Sequence, residues 1–392
     1  MSAIAGLAPE PRAPEAPQTA GRGEGLQLTS RRVDGREWDN IVADFDTVCQ
    51  EQLFAFAATR WPGVVQEPML FEQQGRIVGG VQVMVQSLPL NLAQLAICKW
   101  GPMLADAHAP DAAAIHAGMV EALVAEYADR RGMMLSILPH ASPEAVNAEY
   151  VALRQRGFRR GTVLAYPDRY MVDLRLDDDA QRKSFHQTWR RQLNKAEKAG
   201  LGFEHVGPEG IGDFKALYAA MTDRKQFPDH SAYDTLDQLM ALQPALRPEL
   251  FFVRHEGEHV AGALIFKAGE RAVYLYGATN ERALPLRAGY FLHWHVIRWL
   301  RDNTRARWYD LGGTDGFHGL HQFKKGMVGE AGRIRPVPPV ANYASRPLAH
   351  VLGTGAFATR DLLHKVRRRI DGLIPGKAKP NQEKYVLADY LR

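Results

Sequence analysis

One stretch in the last third of the chain gathers residue types suited to holding an anion. It runs Tyr309-Asp310-Leu311-Gly312-Gly313, continues through Asp315-Gly316, and ends Gly319-Leu320-His321-Gln322-Phe323-Lys324-Lys325-Gly326. The apolar residues up to Leu311 read as a strand end. Gly312 and Gly313 open a turn where the backbone must bend or come close to a ligand. Loops at strand ends commonly carry binding groups. Glycine amides can face an anion, and a lysine can reach a phosphate or an oxyanion. The same residues also fit a tight turn followed by two solvated lysines.

The elements that would position this loop occur twice. Met69–Val85 is an apolar strand, a turn at Gly75 and a second apolar strand containing Gly79. Leu250–Phe266 repeats that order, with Gly257 in the turn and Gly262 in the second strand. Both turns predict hairpins. A third strand follows each, Leu92–Cys98 and Ala272–Gly277. Then comes a helix with apolar residues at helical spacing, near Asp111–Arg131 and near Ala288–Asn303. Each helix leads into another strand, Met133–Leu138 and Arg307–Leu311. Strand, strand, strand, helix, strand, read twice, predicts a duplicated α/β unit.

Between the halves, Ala180–Gly200 reads as one basic amphipathic helix capped by Gly200. Phe185, Trp189, Leu193 and Ala196 share one face; Arg191, Lys195 and Lys198 share another. The basic face either binds an anion or is simply solvated. Arg360–Leu373 reads as a second basic amphipathic helix, broken by Pro375–Pro380. Its Lys365–Arg369 run suits an anionic membrane surface or a nucleotide, and Arg368-x-x-Asp371 is the spacing found in cyclic-dinucleotide sites. A solvated helix accounts for the same residues.

The chain has 392 residues, a length that predicts two domains or three. Its apolar fraction of 46% and charged fraction of 24% are those of a globular protein. A net charge of +5 favours anionic partners without naming one. Cys49 and Cys98 lie in no CxxC or Cys/His cluster, which argues against a disulfide framework or zinc site and for a reduced, cytoplasmic protein. The first 26 residues read as a disordered tail rather than a secretory signal. No apolar run approaches the ~20 residues a bilayer span needs. His293 and His295, two apart on a helix, face different ways and cannot share a metal; His295 reads as a core or interface residue. No metal is expected.

Tyr-Asp-Leu-Gly-Gly followed by Gly-Leu-x-x-Phe-Lys-Lys-Gly resembles the closing motif of the FemAB family, the peptidoglycan-bridge aminoacyltransferases of the GNAT superfamily. Leu292–Trp299 resembles the helix before that motif, and Arg190–Gly200 the family's basic helix between its halves. The likeness covers roughly Asp168–Gly329, and the first half only in outline. It implies an α/β (α+β) fold of two tandem GNAT-like domains, each a mixed, mostly antiparallel sheet flanked by helices. The expected boundaries are a tail to 26, domains at 27–168 and 169–345, and a basic helical extension at 346–392.

The resemblance also implies an N-acyltransferase in which an amine attacks an acyl carbonyl directly. Phe323 and Lys324 match the family's Phe-Lys pair near the transferring carbonyl. Lys324 would steady the oxyanion or a substrate phosphate. Tyr309 and Asp310 would orient the amine or relay its proton, although Asp310 fits a strand cap better. Arg190, Arg191 and Lys195, with Gly312 and Gly313, would bind a sugar-nucleotide or lipid-linked envelope precursor. Two features leave the donor open between acyl-CoA (acetyl-CoA) and aminoacyl-tRNA. The stretch from Tyr233 to Leu250 has no room for the helical arm of some tRNA-dependent members. The coenzyme A signature of GNAT enzymes is reduced to the fragment Arg287-Ala-Gly289, at a helix start that could take a pyrophosphate. A reading of another class is a nucleotide-responsive binding protein on a degenerate GNAT fold. The expected location is the cytoplasm, at the inner face of the membrane if the C-terminal helix touches it.

Overall fold

The computed structural model describes residues 27–88, 92–225, 233–314 and 316–372, and the side chains of all these except 224–225 and 360–372. The sequence expectations for the N-terminal tail, Asp315, the Lys365–Arg369 side chains, Arg368 with Asp371, and Pro375–Pro380 lie outside these residues.

The first half comprises β1 (Thr29–Arg32), α1 (Gly35–Val42), α2 (Phe54–Arg60), β2 (Val65–Gln73), β3 (Arg76–Ser87), β4 (Gln94–Lys99), β5 (Met103–Leu104), α3 (Ala112–Leu123), β6 (Met134–Leu138), α4 (Ala148–Gln155) and β7 (Arg159–Arg160). A π-helical stretch, Val124–Arg130, prolongs α3. The second half comprises β8 (Asp168–Asp173), α5 (Asp178–Ser184), α6 (Gln187–Ala196), β9 (Gly202–Val206), α7 (Ile211–Lys225), α8 (Leu236–Met240), β10 (Glu249–His255), β11 (Glu258–Phe266), β12 (Arg271–Thr279), α9 (Ala283–Leu286), α10 (Ala288–Asn303), β13 (Trp308–Asp310), α11 (His318–Val328) and β14 (Arg333–Pro336). The chain closes with β15 (Ala341–Tyr343) and α12 (Pro347–Gly372). Two mixed sheets result, ordered β1-β2-β3-β4-β6-β15-β7 and β14-β8-β13-β12-β11-β10-β9.

The duplication extends to backbone detail. Gln74-Gly75 and Glu256-Gly257 are two-residue turns with positive φ at both positions (51° and 78°; 51° and 87°). That conformation matches the twist of paired strands and favours glycine at the second site. Three residues past each glycine, Val78 and Val260 are left without a partner across the hairpin. Each is a β-bulge at an equivalent position. The strand order repeats, and so does the helix between the third strand and the parallel fourth.

Two sequence boundaries need correction. The predicted second domain ended at 345, but β15 pairs with β6 and β7 in the first sheet. The helix beyond is likewise no detached extension. Phe357 of α12 is buried in the first half's core, and Gly353 packs against Met134 and Leu95. The exposed edge of β6 supplies the reason: unpaired strand amides and carbonyls need a partner, and the returning chain provides one.

The predicted helix 180–200 is also two helices. The chain turns extended at Phe185 (φ −62°, ψ 147°). There the His186 amide donates to the Gly326 carbonyl, and the Glu330 amide to the Ser184 carbonyl, both at 2.9 Å. Phe185 is 1% exposed, so the break buries an aromatic ring.

Gly329, which ends α11, lies against this break at φ 59°, ψ −148°. A Cβ there would collide with the Ser184 carbonyl. Both the conformation and the space exclude a side chain. Gly329→Ala should therefore lose about 2–3 kcal/mol of stability in urea denaturation. An unchanged midpoint would contradict this account of the α5–α6 junction.

Candidate active site

The site begins with a mismatch in strand pairing. β12 and β13 run parallel for three residue pairs only, Arg271 with Trp308 to Val273 with Asp310, and β12 then continues alone to Thr279. Its other neighbour, β11, pairs Ile265 with Tyr274 and Leu264 with Tyr276, so Leu275 is an extra, unpaired residue. At Leu275 the strand therefore lacks a residue partner on both flanks, just where β12 leaves β13. In the first half the equivalent strands β4 and β6 stay paired from Leu95–Met134 to Lys99–Leu138. The open wedge belongs to the second half.

Side chains from five elements line this wedge. Tyr274 of β12 meets the ring of His293 edge-on at 4.9 Å. His293 Nδ1 and the Tyr309 hydroxyl are hydrogen-bonded at 3.0 Å. Burial, and then the charge of Lys324, depress His293 to about 3, so its imidazole is neutral near pH 7. Burial pushes the half-buried Tyr274 phenol up to about 12, which keeps its proton in place. Phe323 of α11 packs against Tyr290 at 4.9 Å and His293 at 5.6 Å, and Trp189 of α6 closes the aromatic wall.

Lys324 is 6% exposed. Its ammonium donates to the carbonyls of Leu311 and Gly313, each at 2.5 Å. The lysine thus clamps the turn at the end of β13, where Gly312 takes φ 76°. The structure brings Lys324, Phe323, Gly312 and Gly313 together at one mouth of the wedge. Gly289, at the start of α10, faces Phe323 Cζ. Arg287 just before it adopts a left-handed conformation, φ 59°, and donates to the Leu284 carbonyl.

Other predicted site residues lie elsewhere. Tyr309 is wholly buried, and its hydroxyl is bound to His293. Asp310 points to the opposite face of the sheet. There it accepts both ends of the Arg169 guanidinium at 3.0–3.1 Å, and the Gly312 amide at 2.9 Å. It is a strand cap and an ion-pair anchor rather than a proton relay. Arg190 donates to the carbonyls of Lys183 and Phe185, satisfying groups left open where α5 ends. Arg191 and Lys195 are exposed, on the side of α6 away from buried Trp189 and Leu193. His295 is half-buried against Phe203 and Phe291. Cys49 and Cys98 are free and buried. Among the described residues no three His, Cys, Asp or Glu side chains are grouped to hold a metal, and no helix is long and apolar enough to cross a membrane.

Sequence reasoning missed Tyr274, Leu275 and His293. The signal for the bulge is only a strand of mixed large residues with no break. For His293 the sequence offers only its spacing from His295 and its place in the helix before the motif.

Comparison with known proteins finds likenesses across the wedge. Residues 183–325 match the acetyltransferase (GNAT) domain model. A stretch of 77 residues is 32% identical to the lipid II:glycine glycyltransferase of Staphylococcus aureus, spanning 18% of this chain and 18% of that one. The solved structure of FemX superposes with a TM-score of 0.65 at 17% identity, covering 81% of this chain and 97% of FemX. L-PGS from Bacillus licheniformis does so with a TM-score of 0.53 at 13% identity, over 82% and 96%. These structural likenesses establish the fold, and the matched segment contains α6, the wedge and Lys324.

The buried ion pair yields a pH prediction. Burial pushes the Asp310 carboxyl up, but the charges of Arg169 and Arg271 and the hydrogen bonds from Arg169 outweigh it and hold it below the usual range. A folded pKa below the unfolded value of about 4 stabilises the protein fully above that pH and is lost as pH falls through the folded value. Asp310→Asn should cost about 3 kcal/mol near pH 7. The gap between wild type and variant, read from urea melts, should shrink below about pH 4.

Proposed function

We propose that this chain, a FemAB-like member of the GNAT superfamily, is an acyltransferase that moves an acyl group onto an amine of a cell-envelope or surface-polysaccharide precursor. The observation that carries the reading is the divergence of β12 from β13 at Leu275, with Lys324 at its mouth. A strand that loses its partner residues on both flanks presents backbone to whatever enters between the strands. A bulge amide there can donate to a carbonyl oxygen as it gains charge.

The amine lone pair attacks the acyl carbonyl and forms the C–N bond. The carbonyl oxygen becomes an oxyanion, met by the Leu275 amide and the field of the Lys324 ammonium. The bond to the leaving group then breaks. Tyr274, protonated at neutral pH, supplies a proton to the departing atom and regains one from the new ammonium. His293 is neutral and held by Tyr309, so it keeps Tyr274 in place without adding charge. No covalent enzyme intermediate is required.

The donor in this reading is an acyl-CoA such as acetyl-CoA, with its pyrophosphate at the start of α10 near Arg287 and Gly289. The likeness to a lipid II:glycine glycyltransferase supports a second reading, an aminoacyl-tRNA donor and a lipid-linked peptidoglycan-precursor acceptor. Ribonuclease treatment of the donor pool separates them: activity lost points to tRNA, activity kept points to acyl-CoA. Arg191 and Lys195, exposed on α6, remain candidate contacts for a phosphate of either substrate.

Lys324→Ala should lower kcat about a hundred- to a thousand-fold with the fold retained by circular dichroism. Undiminished turnover would remove Lys324 from the mechanism. Tyr274→Phe should lower kcat about tenfold or more while KM stays near its wild-type value, since a proton donor acts only on the chemical step.

A further inference from the structure

The face of β12–β13 opposite the wedge packs against the first half, and two cations there keep unmet hydrogen-bonding capacity among the described residues. Strand alternation puts Lys99 of β4 on the same side as Leu95 and Ile97, in the apolar layer that Phe266 and Val273 of the second half also enter. Lys99 is 3% exposed. Among the described residues its ammonium makes no hydrogen bond. Its contacts are a Glu51 carboxylate oxygen at 3.8 Å and the rings of Trp61 and Trp100 at 5.6 and 5.7 Å. Arg271 of β12 spends one nitrogen, Nη2, on the Ala141 carbonyl at 2.8 Å. Its buried Nη1 has no hydrogen-bond partner and lies 3.8 Å from Asp310 Oδ2. Buried donors are nearly always satisfied, so two such cations in one layer call for an explanation.

Lys99, Arg169 and Arg271 face the carboxylates of Glu51 and Asp310, and the charge of Glu149 also acts on Arg271; Arg60 is paired with Asp234 at 3.2 Å. All three cations depress the neighbouring His140, after burial itself, so that ring adds no charge of its own. The layer is open at its edge, where the Arg169 and Arg271 side chains keep 24% and 19% exposure. A buried donor without a partner is costly unless an acceptor joins it.

We propose that this interlobe face is an oxyanion subsite for the acceptor, where Lys99 and Arg271 each donate to one oxygen of a singly charged carboxylate or phosphodiester. The inference rests on the acyltransferase reading only for the word acceptor. Arg169, fixed by Asp310, forms the floor. Arg271 and Leu275 are four residue steps apart, about 13 Å along β12. An acceptor anchored here would carry its amine at that distance from the point where the strands part. The subsite would thus select acceptors bearing a negative group at a set spacing from the amine.

The test is binding to the full-length chain, followed by tryptophan fluorescence from Trp61 and Trp100 beside Lys99. Dimethyl phosphate supplies the phosphodiester arm, D-alanyl-D-alanine the carboxylate arm, and glucosamine the control without an oxyanion. At least one anionic probe should bind more tightly than glucosamine, and the arm that does identifies the oxyanion. Lys99→Met and Arg271→Met should each weaken that probe tenfold or more. Lys99→Met should keep or raise the melting temperature, since it removes an unsatisfied buried charge. Lys99→Gln provides a second readout in a polar background, with the same loss expected. Lys324→Ala should bind the probe as wild type does, which separates this inference from the catalytic one. Anionic probes that bind no better than glucosamine, or equally well to the Lys99 variants, would overturn the proposal.

Discussion

Two parallel strands that stay together for only three residues govern this structure. β13 is anchored on its far side by β8, and the Leu311 amide continues that anchorage by donating to the Tyr170 carbonyl. β12 is anchored on its far side by β11. Each strand is thus held by its outer neighbour, and past Val273 and Asp310 they part without unravelling either sheet edge. The bulge at Leu275 increases local twist and turns β12 outward. Backbone groups that would be costly if buried and unpaired are tolerated where a ligand can meet them.

Lys324 clamps the turn at one side of the wedge. An ammonium bound by two carbonyls at the end of β13 fixes the turn there, and its charge adds to burial in keeping His293 neutral. Its helix is placed in turn by the junction of α5 and α6, through Gly326, Gly329 and Glu330. The basic helix between the halves thereby becomes a support for the lysine. Trp189, Tyr290 and Phe323 complete that support by packing α6, α10 and α11 together.

The duplicated halves show how one unit can serve two ends. Their hairpins share turn type and bulge position, and both place a helix before a parallel fourth strand. They differ in the length of that parallel pairing. The first half keeps its strands closed and uses the end of β4 to carry Lys99 into the shared layer. The second half opens its strands. Arg305 with Asp46 and His108 with Glu270 tie the halves together at 2.8 and 2.7 Å, so the two faces of β12–β13 hold a fixed relation.

The sequence by itself determined the repeat, the hairpins and the motif around Lys324. Those features are local: a glycine that a two-residue turn demands, apolar periodicity, and a short run of residues with a known resemblance. It also marked Phe323, Gly312 and Gly313, which do meet Lys324. Only the tertiary structure decided which face each side chain takes. Tyr309 and Asp310 are adjacent in sequence yet lie on opposite sides of a sheet, one bound to a histidine from α10 and the other to an arginine from β8. The return of β15 to the first sheet, the break at Phe185, the unpaired Leu275 and the placing of Lys99 and Arg271 between the halves are likewise long-range. Each is set by strand register or by a partner far along the chain, and neither is written in the spacing of neighbouring residues.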